Sequence, residues 1–568
     1  MASQIMLDVA SKFSRSGESP DSPRSSRPRS GSLSTVQADA WRTRDERLRC
    51  IAASWTARVE AEVAAVAARG GGAAPRIARG AWPGDWPSRA ARPAAAPASR
   101  AAAAAPPPAP SPRGPPEARA VPNGRACGLR DYCASVVAAA PRDYAGPFYV
   151  VDVGAAERLY DAWAAALPRV RPHYAVKCFP DAGLCRALAA KGCGFDCASE
   201  AEARLVFACG ATPRDVVFAN PCKRPSDVAF LAASGVPWTT FDCCDELAKL
   251  AGLPAATRAV LRLRCDDPTS RLPFGPKYGA LEDEVPGLLA AAHAAGVAVA
   301  GVSFHVGSGA RSPAAFAAAI AAARRAFDAN AAAGGAPFDV LDIGGGFCGG
   351  FDASGAAAVS ASGDATVAAA VNAALDSSFP ADDFPGLEVI AEPGRYFAEA
   401  AASLCCRVVG ERHRSRADVG SPPEPEAQYW ITDGVYGAFN AIIYDGWLPH
   451  AVVVGDPRRA NGAGGAGGAG AGAALTTVFG PTCDSLDVVF SRVRNAPPMR
   501  RDDWLLFPCC GAYTSAGAAD FNGIPATAAA GVQTRYVRSD SMRCTADDDA
   551  LGLLYSDKPP MEIIRYCD

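Results

Sequence analysis

Eight short apolar runs, each closing on polar or glycine-rich residues, recur along the middle of the chain and limit its fold more than any other feature. They are His173 to Lys177, Gly194 to Asp196, Val216 to Pro221, Trp238 to Asp242, Val260 to Arg262, Gly301 to Gly309, Val340 to Phe347 and Leu387 to Arg395. Alanine-rich stretches with helical spacing separate them, as in Asp181 to Lys191 and Glu200 to Cys209. Strand and helix alternating eight times over roughly 250 residues predict an α/β fold, a (β/α)8 TIM-type barrel. The C-terminal strand ends of such a barrel share one mouth, where active sites sit. Lys177, His305, a triple glycine and a Glu-Pro-Gly-Arg run are therefore expected to meet.

The rest of the 568 residues is organised around that unit. Ser, Arg and Pro dominate Ser14 to Ser34, and Ala and Pro dominate Ala94 to Pro116. Such composition buries too little apolar surface to offset ordering entropy, so 1–125 reads as a mostly disordered extension. Ala52 to Ala68 is a candidate short amphipathic helix within it. The barrel is expected over 151–400. Leu404 to Val409, Gln428 to Asp433, Thr476 to Phe479 and Trp504 to Phe507 are β-leaning and bounded by turn residues. They predict an antiparallel sheet or small β-barrel over 401–545, with 126–150 as a lead-in contributing to it. A Gly/Ala-rich loop over 457–475 and a tail over 546–568 complete the chain.

Composition excludes several classes. A net charge of −3 gives no electrostatic footprint for nucleic acid. No apolar run approaches the ~20 residues that span a bilayer. The Ser/Arg-rich start resembles an organelle transit peptide, but Asp8, Glu18 and Asp21 oppose that reading, because such peptides are poor in acid. Twenty cysteines are scattered without paired zinc spacings, and histidines number only five. Reduced thiols in the cytoplasm and no metal are expected.

The chemistry gathers on the predicted mouth. A lysine ending a strand is more often a solvated charge. Lys177 follows Tyr174 and Val176 in an apolar run, where desolvation would favour the neutral amine, the nucleophile for a Schiff base. Glycines 344 to 346 let backbone N–H groups approach an anion. Arg395 follows strand eight, and loops after strands seven and eight are the recurrent phosphate site of these barrels. Ser308 adds a hydroxyl. A lysine imine plus a phosphate site describes pyridoxal 5'-phosphate. Glu392 supplies the carboxylate that keeps a pyridine nitrogen protonated. His305 is placed to stack on the ring.

Ten motifs in order strengthen the reading: Tyr174-Ala-Val-Lys-Cys178, Phe195-Asp-Cys-Ala-Ser199, Ala219-Asn-Pro-Cys-Lys223, Ser303-Phe-His-Val-Gly-Ser-Gly309, Leu341-Asp-Ile-Gly-Gly-Gly-Phe347, Ala391-Glu-Pro-Gly-Arg-Tyr396, Asp433-Gly-Val-Tyr-Gly437, Gly480-Pro-Thr-Cys-Asp484, Gly511-Ala-Tyr-Thr514 and Phe521-Asn-Gly523. On these the chain resembles the eukaryotic-type ornithine decarboxylases, pyridoxal-dependent enzymes with an alanine racemase-like fold. The likeness runs from about Gly146 to Gly523 and leaves the N-terminal extension uncovered.

That resemblance implies decarboxylation of L-ornithine to putrescine and CO2, with Lys177, Cys483, His305 and Glu392 catalytic. It implies cofactor contacts from Asp196, Arg262, Ser308, Gly345, Gly346, Pro393, Gly394, Arg395 and Tyr513. Substrate contacts would come from Tyr444, Asp445, Asp484 and Phe521. It further implies a homodimer in which Cys483 and Asp484 reach the other subunit's barrel, an ion pair of Lys277 with Asp487 across it, and an antizyme-like regulator. A cysteine suits a proton donor because a thiol with an ordinary pKa near 8.5 stays protonated at neutrality.

Departures are Phe179-Pro180 after Cys178, Tyr278 for a phenylalanine, Gly446-Trp447 after Asp445 and Pro508-Cys-Cys510 before Gly511. Rival readings are a decarboxylase of lysine, arginine or diaminopimelate, an amino-acid racemase, and an inactive antizyme-inhibitor-like homologue. The last would have lost catalytic groups, and Lys177, Glu392, Arg395 and Cys483 are all present.

Overall fold

The computed structural model describes residues 118–543 and 553–555, apart from 142, 145, 311, 353, 360–365, 417–421, 457–474 and 526–531. The N-terminal extension up to 117, the helix expected over Ala52 to Ala68, most of the Gly/Ala-rich loop and most of the C-terminal tail lie outside the described residues.

Eight parallel strands close into a barrel. They are β1 (Val170–Ala175), β2 (Gly194–Cys197), β3 (Val216–Phe218), β4 (Trp238–Phe241), β5 (Arg258–Leu263), β6 (Val299–Phe304), β7 (Val340–Asp342) and β8 (Glu388–Ala391). Each falls within or beside one of the eight apolar runs. The runs read as continuous because helices cover one face and the barrel interior fills the other. Val217, Ala219, Trp238, Val260, Ala300, Val340 and Ile390 form a separate interior cluster. His173 joins that floor: burial drives its pKa down to about 3, so the ring packs as a neutral side chain. Gly194 makes room for it, since a Cβ there would lie 2.4 Å from the imidazole.

Four of the helices begin at side-chain caps. Asp152, Asp181, Ser199 and Ser312 each accept a backbone N–H three residues on, which satisfies one of the orphan donors of a first turn. The longest helix, Pro313–Ala332, opens on proline and buries Phe316, Ala319, Ile320, Ala323 and Phe327 against the barrel. That three-and-four spacing is the stripe a covering helix needs.

Beside the barrel lies a ten-stranded sheet whose hub is the strand Ala402–Arg416. The hub pairs antiparallel with Phe148–Asp152, Trp504–Phe507 and Glu424–Ile431. The antiparallel expectation needs correction, because Glu424–Ile431 runs parallel to Leu475–Phe479, and Phe148–Asp152 runs parallel to Gln533–Ser539. Parallel neighbours require long connections; the whole barrel lies between the second pair in sequence. The segment expected as a β lead-in contains a helix, Ala126–Ala139. Its Leu129, Cys133 and Val137 pack against Phe148, Cys405, Val452 and Trp504 of the sheet.

Candidate active site

Strand β1 ends at Ala175 and a 3-10 turn, Val176–Cys178, follows. Three bonds hold that turn. The Tyr174 hydroxyl donates to the Phe179 carbonyl at 2.9 Å. The backbone N–H of Tyr513 donates to the Cys178 carbonyl at 2.9 Å, and that of Ala175 to Pro393 at 3.3 Å. Val176 and Cys178 are buried, and Lys177 lines a cleft with about 280 Å³ of empty space. Its amine is ion-paired to Asp196 at the end of β2.

The expected neutral amine is corrected by this pairing. Burial pulls the Lys177 pKa down, but the charges of Asp196, Glu392 and Tyr513 raise it further, and the net shift is upward. Lys177 therefore rests as an ammonium, with Asp196 in place to take its proton.

Opposite the lysine, Ser308, Gly346, Gly394, Arg395 and Tyr513 line the same cleft. Gly345 leaves no room for a side chain: a Cβ there would fall 2.7 Å from both the Glu392 carbonyl and the His305 ring. Gly346 has φ +101°, a conformation that favours glycine. Gly394 precedes the helix Arg395–Ala401, so Arg395 stands in its first turn. The guanidinium reaches Ser308 Oγ at 3.3 Å and Glu399 at 3.2 Å, and it lies over the Tyr513 ring at 5.3 Å.

Asp445 was expected at a substrate amine. In this chain it is buried on Arg395 at 2.8 Å, with Arg271 at 3.4 Å. It thus belongs to the anion-binding side of the cleft and carries a charge already balanced by two guanidiniums.

On the third side sits a carboxyl pair. Glu392 is raised well above the ordinary carboxylate range, first by burial and then by Asp196 and Asp342. Asp342, at the end of β7, is pushed up to about 7, chiefly by burial. Two buried carboxyls this close share a proton more readily than they both ionise. The Arg262 charge also acts on both carboxyls and on His305. Burial, Arg262 and Lys177 lower the His305 pKa, so its ring is neutral. Its Nδ1 accepts the Gly307 N–H at 3.1 Å, which places the proton on Nε2. Phe274 packs against this ring at 4.4 Å.

Asp342 and Phe274 were given no role from the sequence. Asp342 carried a signal, a charged residue ending an apolar strand just before glycines. Phe274 carried none, because it sits in an irregular loop without periodicity.

The remaining candidates form a second group, on the sheet domain. Cys483 is exposed and does not line the Lys177 cleft. Asp484 accepts the Tyr436 hydroxyl, and the Tyr436 ring stacks on Phe521 at 4.2 Å. Tyr444 is 72% exposed. Asp487, expected to pair with Lys277, is buried in its own chain. It accepts the N–H groups of Val435 and Thr482 at 2.8 and 2.9 Å and the Thr482 hydroxyl at 2.7 Å.

A phosphorylated pyridine aldehyde fits the first group. The cradle has no room for a Cβ, Arg395 Nε and Asp196 Oδ1 are buried with no hydrogen-bond partner, and the Lys177 amine lines the same cleft. This is a barrel enzyme of the pyridoxal phosphate class.

The comparisons carry that class to a family. The family described as "Pyridoxal-dependent decarboxylase, pyridoxal binding domain" matches residues 153–399. "Ornithine decarboxylase, chloroplastic" of Nicotiana glauca is 42% identical over 402 residues, 70% of this chain and 87% of that protein. "Ornithine decarboxylase" of Neurospora crassa is 39% identical over 392 residues, 66% of this chain and 78% of that one. The solved arginine decarboxylase of Paramecium bursaria Chlorella virus is 32% identical with a TM-score of 0.62, covering 72% of this chain and all of that one. The chain belongs to the family of pyridoxal-dependent decarboxylases.

Proposed function

We propose that the protein is a carboxy-lyase that converts L-ornithine to putrescine and CO2, a step in polyamine biosynthesis. The observation that carries this is the single cleft holding Lys177, the glycine–arginine cradle and the Glu392 carboxyl, in a chain 42% identical to an ornithine decarboxylase. Pyridoxal phosphate, when bound, supplies an aldehyde for an amine and a protonated ring that draws electrons from the α-carbon.

The chain's own residues do the rest. Asp196 takes a proton from Lys177, which frees the amine. Arg395, Ser308 and the backbone of Gly345 and Gly346 bind the phosphate, and Tyr513 walls that end. Glu392 enters carrying a proton and so can keep the pyridine nitrogen charged. Asp342 and Arg262 set how tightly that proton is held. Neutral His305, fixed by Gly307 and Phe274, offers a flat uncharged face. Closing off water strengthens each of these interactions.

A proton must then reach the α-carbon, and nothing in the cleft wall is as suited to it as a thiol. Cys483 of the partner subunit is the donor in this reading, with Asp484 of the partner subunit receiving the substrate's terminal ammonium. The support is twofold. Cys483 is outward-facing in its own chain, and exposed apolar side chains flank both aspartates: Ile443, Tyr444 and Leu448 near Asp445, Leu486 beside Asp484, and Phe521. Such surface suits burial against a second copy.

Among the described residues no helix is long and apolar enough to cross a membrane. We propose a cytoplasmic compartment; two relatives are named chloroplastic, and imaging of a tagged full chain decides between the two. An antizyme-like regulator is a further expectation, checked by co-purification.

The deciding experiment is CO2 release from ornithine, lysine and arginine in parallel, with Lys177→Ala as control. Ornithine is expected to give the highest kcat/KM and the variant none. A higher value for arginine or lysine would reassign the substrate and leave the chemistry standing.

A further inference from the structure

The second group contains a residue with no role assigned above. Asn522 sits in the 3-10 turn Phe521–Gly523, and its Oδ1 lies 3.2 Å from the Cys483 backbone nitrogen and 3.3 Å from Cys483 Sγ. We propose that Asn522 is a positioning residue, one that aims the Cys483 thiol and holds its proton until the reaction needs it. The inference rests on the reading of Cys483 as proton donor.

The polarity of this contact follows from the atoms. The Cys483 N–H can only donate, so the amide must turn its oxygen, not its NH2, toward the cysteine. That oxygen has no proton to give, so the sulfur in contact with it is the donor, an S–H. A thiolate would meet the same oxygen lone pair against lone pair. One oxygen bonded to both backbone and side chain of a residue also fixes the side-chain torsion. Among the staggered positions of Cys483, the one facing Asn522 is selected.

The turn is built for this. Asn522 has φ +57°, where asparagine and glycine are tolerated and most residues are strained. Next to it Phe521 stacks on Tyr436, and the Tyr436 hydroxyl donates to Asp484. Asp484 is accordingly held below the ordinary carboxylate range, first by the Leu486 N–H and then by that hydroxyl. One short turn therefore sets both neighbours, the acid sulfur through Asn522 and the carboxylate through Phe521 and Tyr436. A donor that must deliver to a neighbouring barrel gains from a support carried on its own subunit, because its direction is then settled before the two surfaces meet.

The test uses the full-length holoenzyme and two variants. Asn522→Gly removes the amide without straining a positive φ, and Asn522→Asp keeps an acceptor oxygen in place. The rate of iodoacetamide labelling at Cys483 is read by peptide mass analysis, beside kcat and KM for ornithine. Asn522→Gly is expected to label Cys483 about fivefold faster, the worth of one hydrogen bond, and to lose kcat with KM within about twofold, as for an interaction used only in the transition state. Asn522→Asp is expected to restore slow labelling. Labelling at the wild-type rate in Asn522→Gly would overturn the proposal, as would equal labelling of the two variants. Faster labelling with unchanged kcat would uphold the contact and instead remove Cys483 as the proton donor.

Discussion

The two groups of functional residues differ in almost every physical respect. The Lys177 cleft is buried, crowded with charge and fixed from several strands: Asp196, Asp342 and Glu392 meet Lys177, Arg262 and Arg395 within one low-dielectric space. The Cys483 surface is exposed, has a single carboxylate held by a tyrosine, and is organised by one three-residue turn. The first is complete enough to bind a cofactor in one chain. On the function proposed above, their separation would assign electron withdrawal and anion binding to the barrel, and proton delivery and amine recognition to the sheet domain of a second copy.

The sharpest attack on this division is Cys483→Ala. It should lower kcat by about 10²–10⁴, the usual range for losing a positioned proton donor, while the absorbance of bound pyridoxal phosphate stays at its wild-type value. A lost cofactor signal would place the thiol in the barrel's own machinery. Mixing this variant with Lys177→Ala carries the same division to the subunits. If each site draws from two chains, an equimolar mixture should recover about one quarter of wild-type activity, because half of its dimers are mixed and each of those has one intact site; two separate complete sites would recover nothing.

A smaller effect is expected at the anion side. Arg395→Ala should weaken binding of pyridoxal phosphate about ten- to hundredfold, as for charge-assisted hydrogen bonds, measured by titrating the apoprotein. An unchanged cofactor affinity would take Arg395 out of the phosphate end.

The smallest effect tests the carboxyl pair. Asp342 has a folded pKa near 7, above its unfolded value of about 3.9. Its contribution to stability is thus full below about pH 4 and lost as pH rises through about 7. Apoprotein melting should therefore fall across that window, and Asp342→Asn should flatten the fall by a few degrees. Parallel curves for the two proteins would mean that Asp342 keeps an ordinary carboxyl.

The two groups also differed in how far they could be read in advance. Buried parallel strands produce continuous apolar runs, so the eight strands and their terminal residues Lys177, His305, Glu392 and Arg395 were visible locally. Four strands of the sheet were visible too, as β-leaning runs near Leu404, Gln428, Thr476 and Trp504, but its pairing was not: His450–Gly455 pairs with Trp504–Phe507, and Gln533–Ser539 with Phe148–Asp152, segments far away in sequence that leave no hairpin signature. Side-chain charge was half legible: the nearness of Asp196 to Lys177 depends on the register between β1 and β2, which sets Ala175 beside Asp196, and that nearness reversed the expected state of the amine. Asp445 was legible as a carboxylate at the site, but its seat on Arg395 and Arg271 was not. Asn522 lies within the motif Phe521-Asn-Gly523 but had no visible role, because only the fold brings it to Cys483.

The chain passes between sheet and barrel twice, and neither passage contains a linking residue. Phe148–Asp152 hands over to the helix starting at Val153, and the helix ending at Ala401 hands over to the strand starting at Ala402. Hinges fall at loop or element-terminal residues; here Val151 and Ala402, beside the two passages, are paired with each other in the sheet, so swinging one half off the other would have to break that pairing.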